Sequence, residues 1–246
     1  MTKGKYQLTI QYDGSDFHGW QVQAHGRTVQ GDIEMALTII YPKEKINLIG
    51  SGRTDAGVHA LAQVAHVELP ARLSPSELRL ALNGNLQRDV RIDSVMEADN
   101  DFHARFSAKA REYEYHLVKN YSPITRQYAT ELKWDINHDL LHDCSAILLG
   151  EHDFTSFCKA TAEVENKICI IYDAEWKNTG EKYIFSIRAN RFLQHMVRYL
   201  VGSMLEVARG RFEVSDFIDL VDGNETAAVV VRASAEGLFL KKVYYD

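Results

Sequence analysis

Two kinds of periodicity alternate along this chain, and they do so twice in the same order. Lys5–Asp13 sets Tyr6, Leu8, Ile10 and Tyr12 against Lys5, Gln7, Thr9 and Gln11, the two-residue repeat of a strand with one buried face. Asp13-Gly14 then reads as a turn. Thr28–Tyr41 switches to the helical period: Val29, Ile33, Ala36, Leu37 and Ile40 share a face, Thr28 is placed to cap, and Asp32 and Glu34 come early. Ile46–Ile49 and Ala62–Leu69 read as strands. Ser74–Leu86 reads as a helix opened by Ser74, Pro75 and Glu77, and Val90–Met96 as a strand. The second half brings strand Ala110–Val118, helix His138–Leu149, strands Ile168–Trp176 and Lys182–Ile187, helices Phe192–Val207 and Ser215–Val221, and strand Leu238–Tyr245. Both halves spell β-α-β-β-α-β, the second with one extra short helix. No residue-level self-similarity accompanies the pattern, so the repeat is one of architecture. It predicts an α+β protein of two ferredoxin-like (RRM-like) halves with antiparallel sheets, joined near Phe102–Arg111. The expected domains are 1–104 and 105–246.

Charge narrows the function without choosing it. The 246 residues carry 28 Lys plus Arg against 34 Asp plus Glu, a net charge of −6. That surplus argues against coating nucleic acid by bulk charge, yet leaves room for a local basic site. Cys144, Cys158 and Cys169 make no even framework and no CxxC pair, as suits a reducing compartment. The opening MTKGKYQLTIQYDG lacks the apolar core of a secretory signal. No apolar run approaches the roughly 20 residues of a membrane span. A cytoplasmic protein without membrane attachment is expected.

The segment that carries chemistry is GSGRTDAGVHA, residues 50–60, a loop between two strands with Gly50, Gly52, Gly57, Arg53 and Asp55. Glycine lets backbone approach closely. An arginine two residues away favours the ionised form of Asp55, and a positioned carboxylate serves as nucleophile, base or metal ligand. Read on residues alone, an Asp in such a loop is more often a plain turn. No GxxxxGK[ST] phosphate loop occurs. His59 lies four residues from Asp55, but no second carboxylate clusters with them as a metal site would require.

GRTDAGVHALAQV (52–64) closely resembles the signature of the TruA family of tRNA pseudouridine synthases. Other blocks follow in that family's order: YDGSDFHGWQVQ (12–23) with TVQGDIEMAL (28–37), FHARFSAKAREYEYHL (102–117), GEHDFTSFCK (150–159), RFLQHMVRYLVGSMLEVARG (191–210) and EGLFL (236–240). One departure is visible: VVVRASA, before EGLFL, lacks the proline many relatives carry.

The resemblance implies conversion of a tRNA uridine to its C-glycoside isomer in the anticodon arm, with no cofactor and no metal. It makes Asp55 the essential carboxylate, acting on the ribose, on the uracil ring or as a base. It makes Arg198 the partner of that carboxylate, and Arg53 its neighbour that clamps RNA or fills the space left by the flipped base. Tyr113 would stack on the target base and Leu238 would pack its other side. These roles place the active site in a central cleft between the halves. The resemblance also implies a homodimer gripping tRNA. Alone, Arg198 reads as a solvated helix residue, and Tyr113 with Tyr115 as core aromatics on one strand face. The expected RNA footprint is His103, Arg105, Lys109 and Arg111, with Arg209 and Arg211 after the long helix. The loop holding His18, Trp20, Gln21 and Gln23 suits either RNA contact or a packed lid.

Overall fold

The computed structural model describes residues 2–159, 165–223 and 228–246. Contacts divide the chain into two compact units, 1–109 with 239–246, and 110–238.

The first unit is built on β1 (Lys3–Tyr12), which lies antiparallel between β3 (His59–Pro70) and β4 (Val90–Ala98). Tyr6, Leu8, Ile10 and Tyr12 are all buried, as their alternation requires, and Leu8 stands opposite Ala65 and Val95. Helix α1 (Val29–Ile40) buries Val29, Ile33, Ala36 and Leu37, and α2 (Pro75–Asn85) buries Leu78 and Leu82. Each of the buried valine, isoleucine and leucine side chains gains about 1.5–3 kcal/mol over its exposed state. The caps are those the sequence announces. Thr28 accepts from Gly31 N–H, and Ser74 and Glu77 close a reciprocal capping box.

Three features differ from the sequence reading. β2 is only Ile49–Gly50, not Ile46–Ile49. At Leu48 the backbone bonds to α1 side chains instead of a strand: its N–H donates to Glu34 Oε1 (3.1 Å) and its carbonyl accepts from Gln30 Nε2 (3.0 Å). β3 is buried on both faces over Gln63–Val67, which simple alternation does not anticipate. Among those residues His66 accepts the Ala104 N–H on Nδ1 (3.1 Å) and meets the His103 ring edge-on at 4.8 Å. Burial, then His103 and Lys5, pull its pKa down to about 4, with Glu68 opposing. The closing strand β10 (Leu238–Tyr244), counted with the second half in the sequence, runs parallel to β3, Phe239 opposite His59 and Leu240 opposite Ala60.

The second unit has the antiparallel ladder β5 (Ala110–Val118), β9 (Lys182–Ala189), β8 (Ile168–Asn178) and β7 (Gly150–Asp153), in that spatial order. β6 (Thr130–Glu131) adds parallel to β5. Neither β6 nor β7 was anticipated; two and four residues are too few to display a period. Helices α3 (His138–Ile147), α4 (Met196–Ala208) and α5 (Val214–Asp222) bury Leu141, Cys144, Leu200, Met204 and Phe217. The helix expected from Phe192 starts later, at Met196, because His195 has φ +67°. It is the one non-glycine residue with positive φ among the described residues, and that conformation interrupts helical backbone for about 1–2 kcal/mol. Both units are thus mixed α+β with mostly antiparallel pairing. Among the described residues no helix is long and apolar enough to cross a membrane.

Candidate active site

Residues 51–58 connect β2 to β3, and almost every one is tied down. Ser51 donates its N–H to Val64 O (2.7 Å) and its hydroxyl to Gln63 Oε1 (2.7 Å). The Gln63 amide returns a bond to Gly52 O (3.1 Å). The Thr54 hydroxyl lies 2.7 Å from the Tyr12 hydroxyl, and the Thr54 carbonyl accepts Trp20 N–H at 3.1 Å. Val58 N–H bonds Asp55 O (3.2 Å), closing a turn over Gly57, whose φ is +77°. Gly57 N–H in turn donates to Phe17 O at 3.3 Å. Asp55 is half-buried at the head of this turn, directly after the buried Thr54. These bonds fix the backbone from which the Asp55 side chain projects.

The segment after β1 forms the other wall of the loop. A Cβ on Gly14 would sit 2.0 Å from Val58 O, and one on Gly19 would sit 2.6 Å from Thr54 O. Gly50 faces the Trp20 indole, which a Cβ would meet at 2.6 Å. Trp20 is fully buried, so it belongs to packing, while His18, Gln21 and Gln23 remain exposed. The sequence reading missed what fixes this segment. Arg27 bridges Asp89 (2.5 Å) and Asp32 (2.6 Å), with its guanidinium 4.2 Å from the centre of the Phe17 ring. The hydrogen bond to Asp89 first, then Asp32, hold it firmly protonated. Asp89 and Asp32 lie 62 and 5 residues from Arg27, and the more distant of the two leaves no sequence signal.

Arg53 is exposed, on the same loop as the half-buried Asp55.

The remaining sequence-selected residues, Tyr113, Arg198 and Leu238, belong to the second unit. Tyr113 and Tyr115 share a strand, but not an environment. Tyr115 is core: its hydroxyl lies 2.7 Å from the Thr130 hydroxyl and donates to Ser234 O (2.9 Å), and burial pushes its pKa up. Tyr113 is half-buried, edge-on to Phe192 at 5.1 Å. Arg198, on the first turn of α4, is half-buried and donates Nε–H to Ala233 O (2.8 Å). Leu238 is buried at the start of β10, and its N–H bonds Ala235 O (2.9 Å). Gly237 before it leaves no room for a side chain: a Cβ would meet His116 O and the Tyr115 ring, each at 2.8 Å.

The basic clusters separate on inspection. Arg105 and Lys109 are exposed, whereas Arg111 is half-buried and donates to Asn190 O (3.0 Å). Arg209 is turned inward, paired with Glu206 (2.5 Å) and stacked over Trp134 at 4.1 Å, leaving Arg211 as the exposed cation of that pair. Among the described residues no three His, Cys, Asp or Glu side chains come together as a metal site.

Comparison with known proteins gives one consistent result. A family model described as tRNA pseudouridine synthase matches residues 8–107 and 145–246. The tRNA pseudouridine synthase A of Bacillus pumilus is 38% identical over 245 residues, spanning 98% of this chain and 99% of that protein. That of Geobacillus kaustophilus is 39% identical over 244 residues, spanning 98% and 95%. That of Bacillus subtilis is 36% identical over 245 residues, spanning 98% and 99%.

Proposed function

The chain belongs to the tRNA pseudouridine synthase family, and from that premise we propose that it isomerises uridine to pseudouridine in the anticodon arm of tRNA, with Asp55 as the essential carboxylate. The observation that carries this reading is the full-length likeness to proteins named tRNA pseudouridine synthase A, with Asp55 seated in the braced turn between β2 and β3.

The isomerisation breaks the bond between ribose C1′ and uracil N1 and forms one between C1′ and C5. The proton on C5 leaves and N1 ends protonated, so atoms and electrons balance without an oxidant, a reductant or water. A target inside a stem must first leave the stack, at a cost of a few kcal/mol. Arg53, exposed two residues before Asp55, is suited to offset that cost by holding a phosphate or entering the vacated space. We assign to Tyr113 stacking on the uracil, to Leu238 packing on its other side, and to Arg198 positive charge for the carboxylate chemistry. The ferredoxin-like description of each half and a homodimeric assembly are part of the same proposal.

The test is product mapping on unmodified tRNA incubated with the purified protein. Pseudouridine confined to the anticodon arm, with no free uracil, is the expected result. Released uracil would mean a hydrolase, and modification confined to another arm would refute the assigned target.

A further inference from the structure

A second feature of the first unit has the form of a nucleic-acid contact. Residues 102–107 make a short loop over the middle of β3, and its tip presents Phe106 with 77% of its surface exposed. A lone exposed apolar residue is ordinary; its mounting here is not. Ala104 is held from both sides, its N–H on His66 Nδ1 (3.1 Å) and its carbonyl on the Tyr245 hydroxyl (2.8 Å). The N–H groups of Arg105 and Phe106 both donate to His103 Nδ1, each at 3.2 Å. His103 and Ser107 exchange two further bonds, at 3.0 and 2.9 Å. The imidazole of His103 lies 4.3 Å from the Phe106 ring and tilts 31° against it. The Arg105 guanidinium stands 5.6 Å over that ring.

We propose that Phe106 is a stacking platform for a base of the bound tRNA other than the reacting uridine, with Arg105 supplying charge beside it. The proposal rests on the tRNA reading above. An exposed ring fixed by its own backbone loses little freedom on binding, which favours a flat partner of the same size. The surroundings select nucleic acid over an apolar protein surface, since Phe102–Arg111 contains no acidic residue and Arg105 and Lys109 are exposed. The platform does not serve Asp55 directly. The Asp55 loop enters β3 at His59, whereas the platform is anchored at His66. Seven residues of strand separate these points by about 23 Å.

The experiment compares wild-type protein with Phe106→Ala, Phe106→Leu and Phe106→Tyr for binding and modification of unmodified tRNA. Each variant is also checked for folding by circular dichroism and for assembly by sedimentation. The Ala and Leu variants should lose about 5- to 150-fold in affinity, the range for one base–aromatic stack. The Tyr variant should bind as wild type. The loss should raise KM and leave kcat unchanged, and ultraviolet irradiation of the complex should attach RNA to the peptide containing Phe106. Wild-type affinity in the Leu variant, no cross-link on that peptide, or a changed assembly state in the Ala variant would each overturn the platform. Wild-type protein that neither binds nor modifies tRNA would instead overturn the tRNA reading itself.

Discussion

Asp55 stands out in the sequence only through the family resemblance; the contacts that brace its backbone are not legible there at all. The loop's glycines look alike in the sequence, yet they do different things. Gly52 has open space where a Cβ would go, Gly57 carries the left-handed φ of the Asp55 turn, and Gly50 makes room for Trp20. Gly14, far away in sequence, has the tightest of these contacts, against the Val58 carbonyl. Gly14→Ala should therefore destabilise the protein by about 1–3 kcal/mol, as overpacking does. Turnover should fall further than stability, because Val58 closes the turn that carries Asp55. Gly52→Ala should change stability by less than about 0.5 kcal/mol. Urea unfolding beside turnover measured well below the midpoint checks both. Tyr113 and Tyr115 make the same point, since period two puts them on one face and only packing separates the core ring from the half-buried one. Tyr113→Leu should cost about 5- to 150-fold in kcat/KM through lost stacking, with Tyr115→Leu acting chiefly on stability; steady-state kinetics and melting curves tell these apart.

The elements were readable wherever a period runs long enough and a cap marks its end. α1 and α2 have both, β1 has the period and a turn at its end, and the bounds of all three agree with the sequence to within a few residues. The exceptions have local physical causes. Side chains of α1 hold the backbone that would have lengthened β2, and a left-handed His195 delays α4. β6 and β7 are too short to carry a pattern. The capping box of α2 offers a control, because no role in the proposed chemistry is assigned to it. Ser74→Ala should cost about 1 kcal/mol in urea unfolding and leave kcat/KM for tRNA unchanged. A matching loss of activity would mean that α2 is coupled to the site.

At the scale of the molecule, the net charge of −6 never argued against a nucleic-acid substrate, because charge is distributed. What composition conceals is where cations are spent: Arg27 and Arg209 are paired with carboxylates, while Arg53, Arg105 and Lys109 stay exposed. Global stability should also carry the mark of His66. Its folded pKa, about 4, lies below the ordinary 6.5, so the unfolded chain binds the proton more readily. Stability from this group is full above about pH 6.5 and drains as pH falls toward 4, where both states are protonated. His66→Asn, which keeps an acceptor for Ala104 N–H, should flatten that part of the stability–pH curve relative to wild type; parallel curves would contradict the assignment. The central claim, that one carboxylate on a braced turn carries an isomerisation of tRNA uridine, is tested most directly by Asp55→Asn. The variant is expected to fold, to bind unmodified tRNA as wild type within about threefold, and to form no pseudouridine on prolonged incubation. Pseudouridine formed by that variant at the wild-type rate would contradict the account.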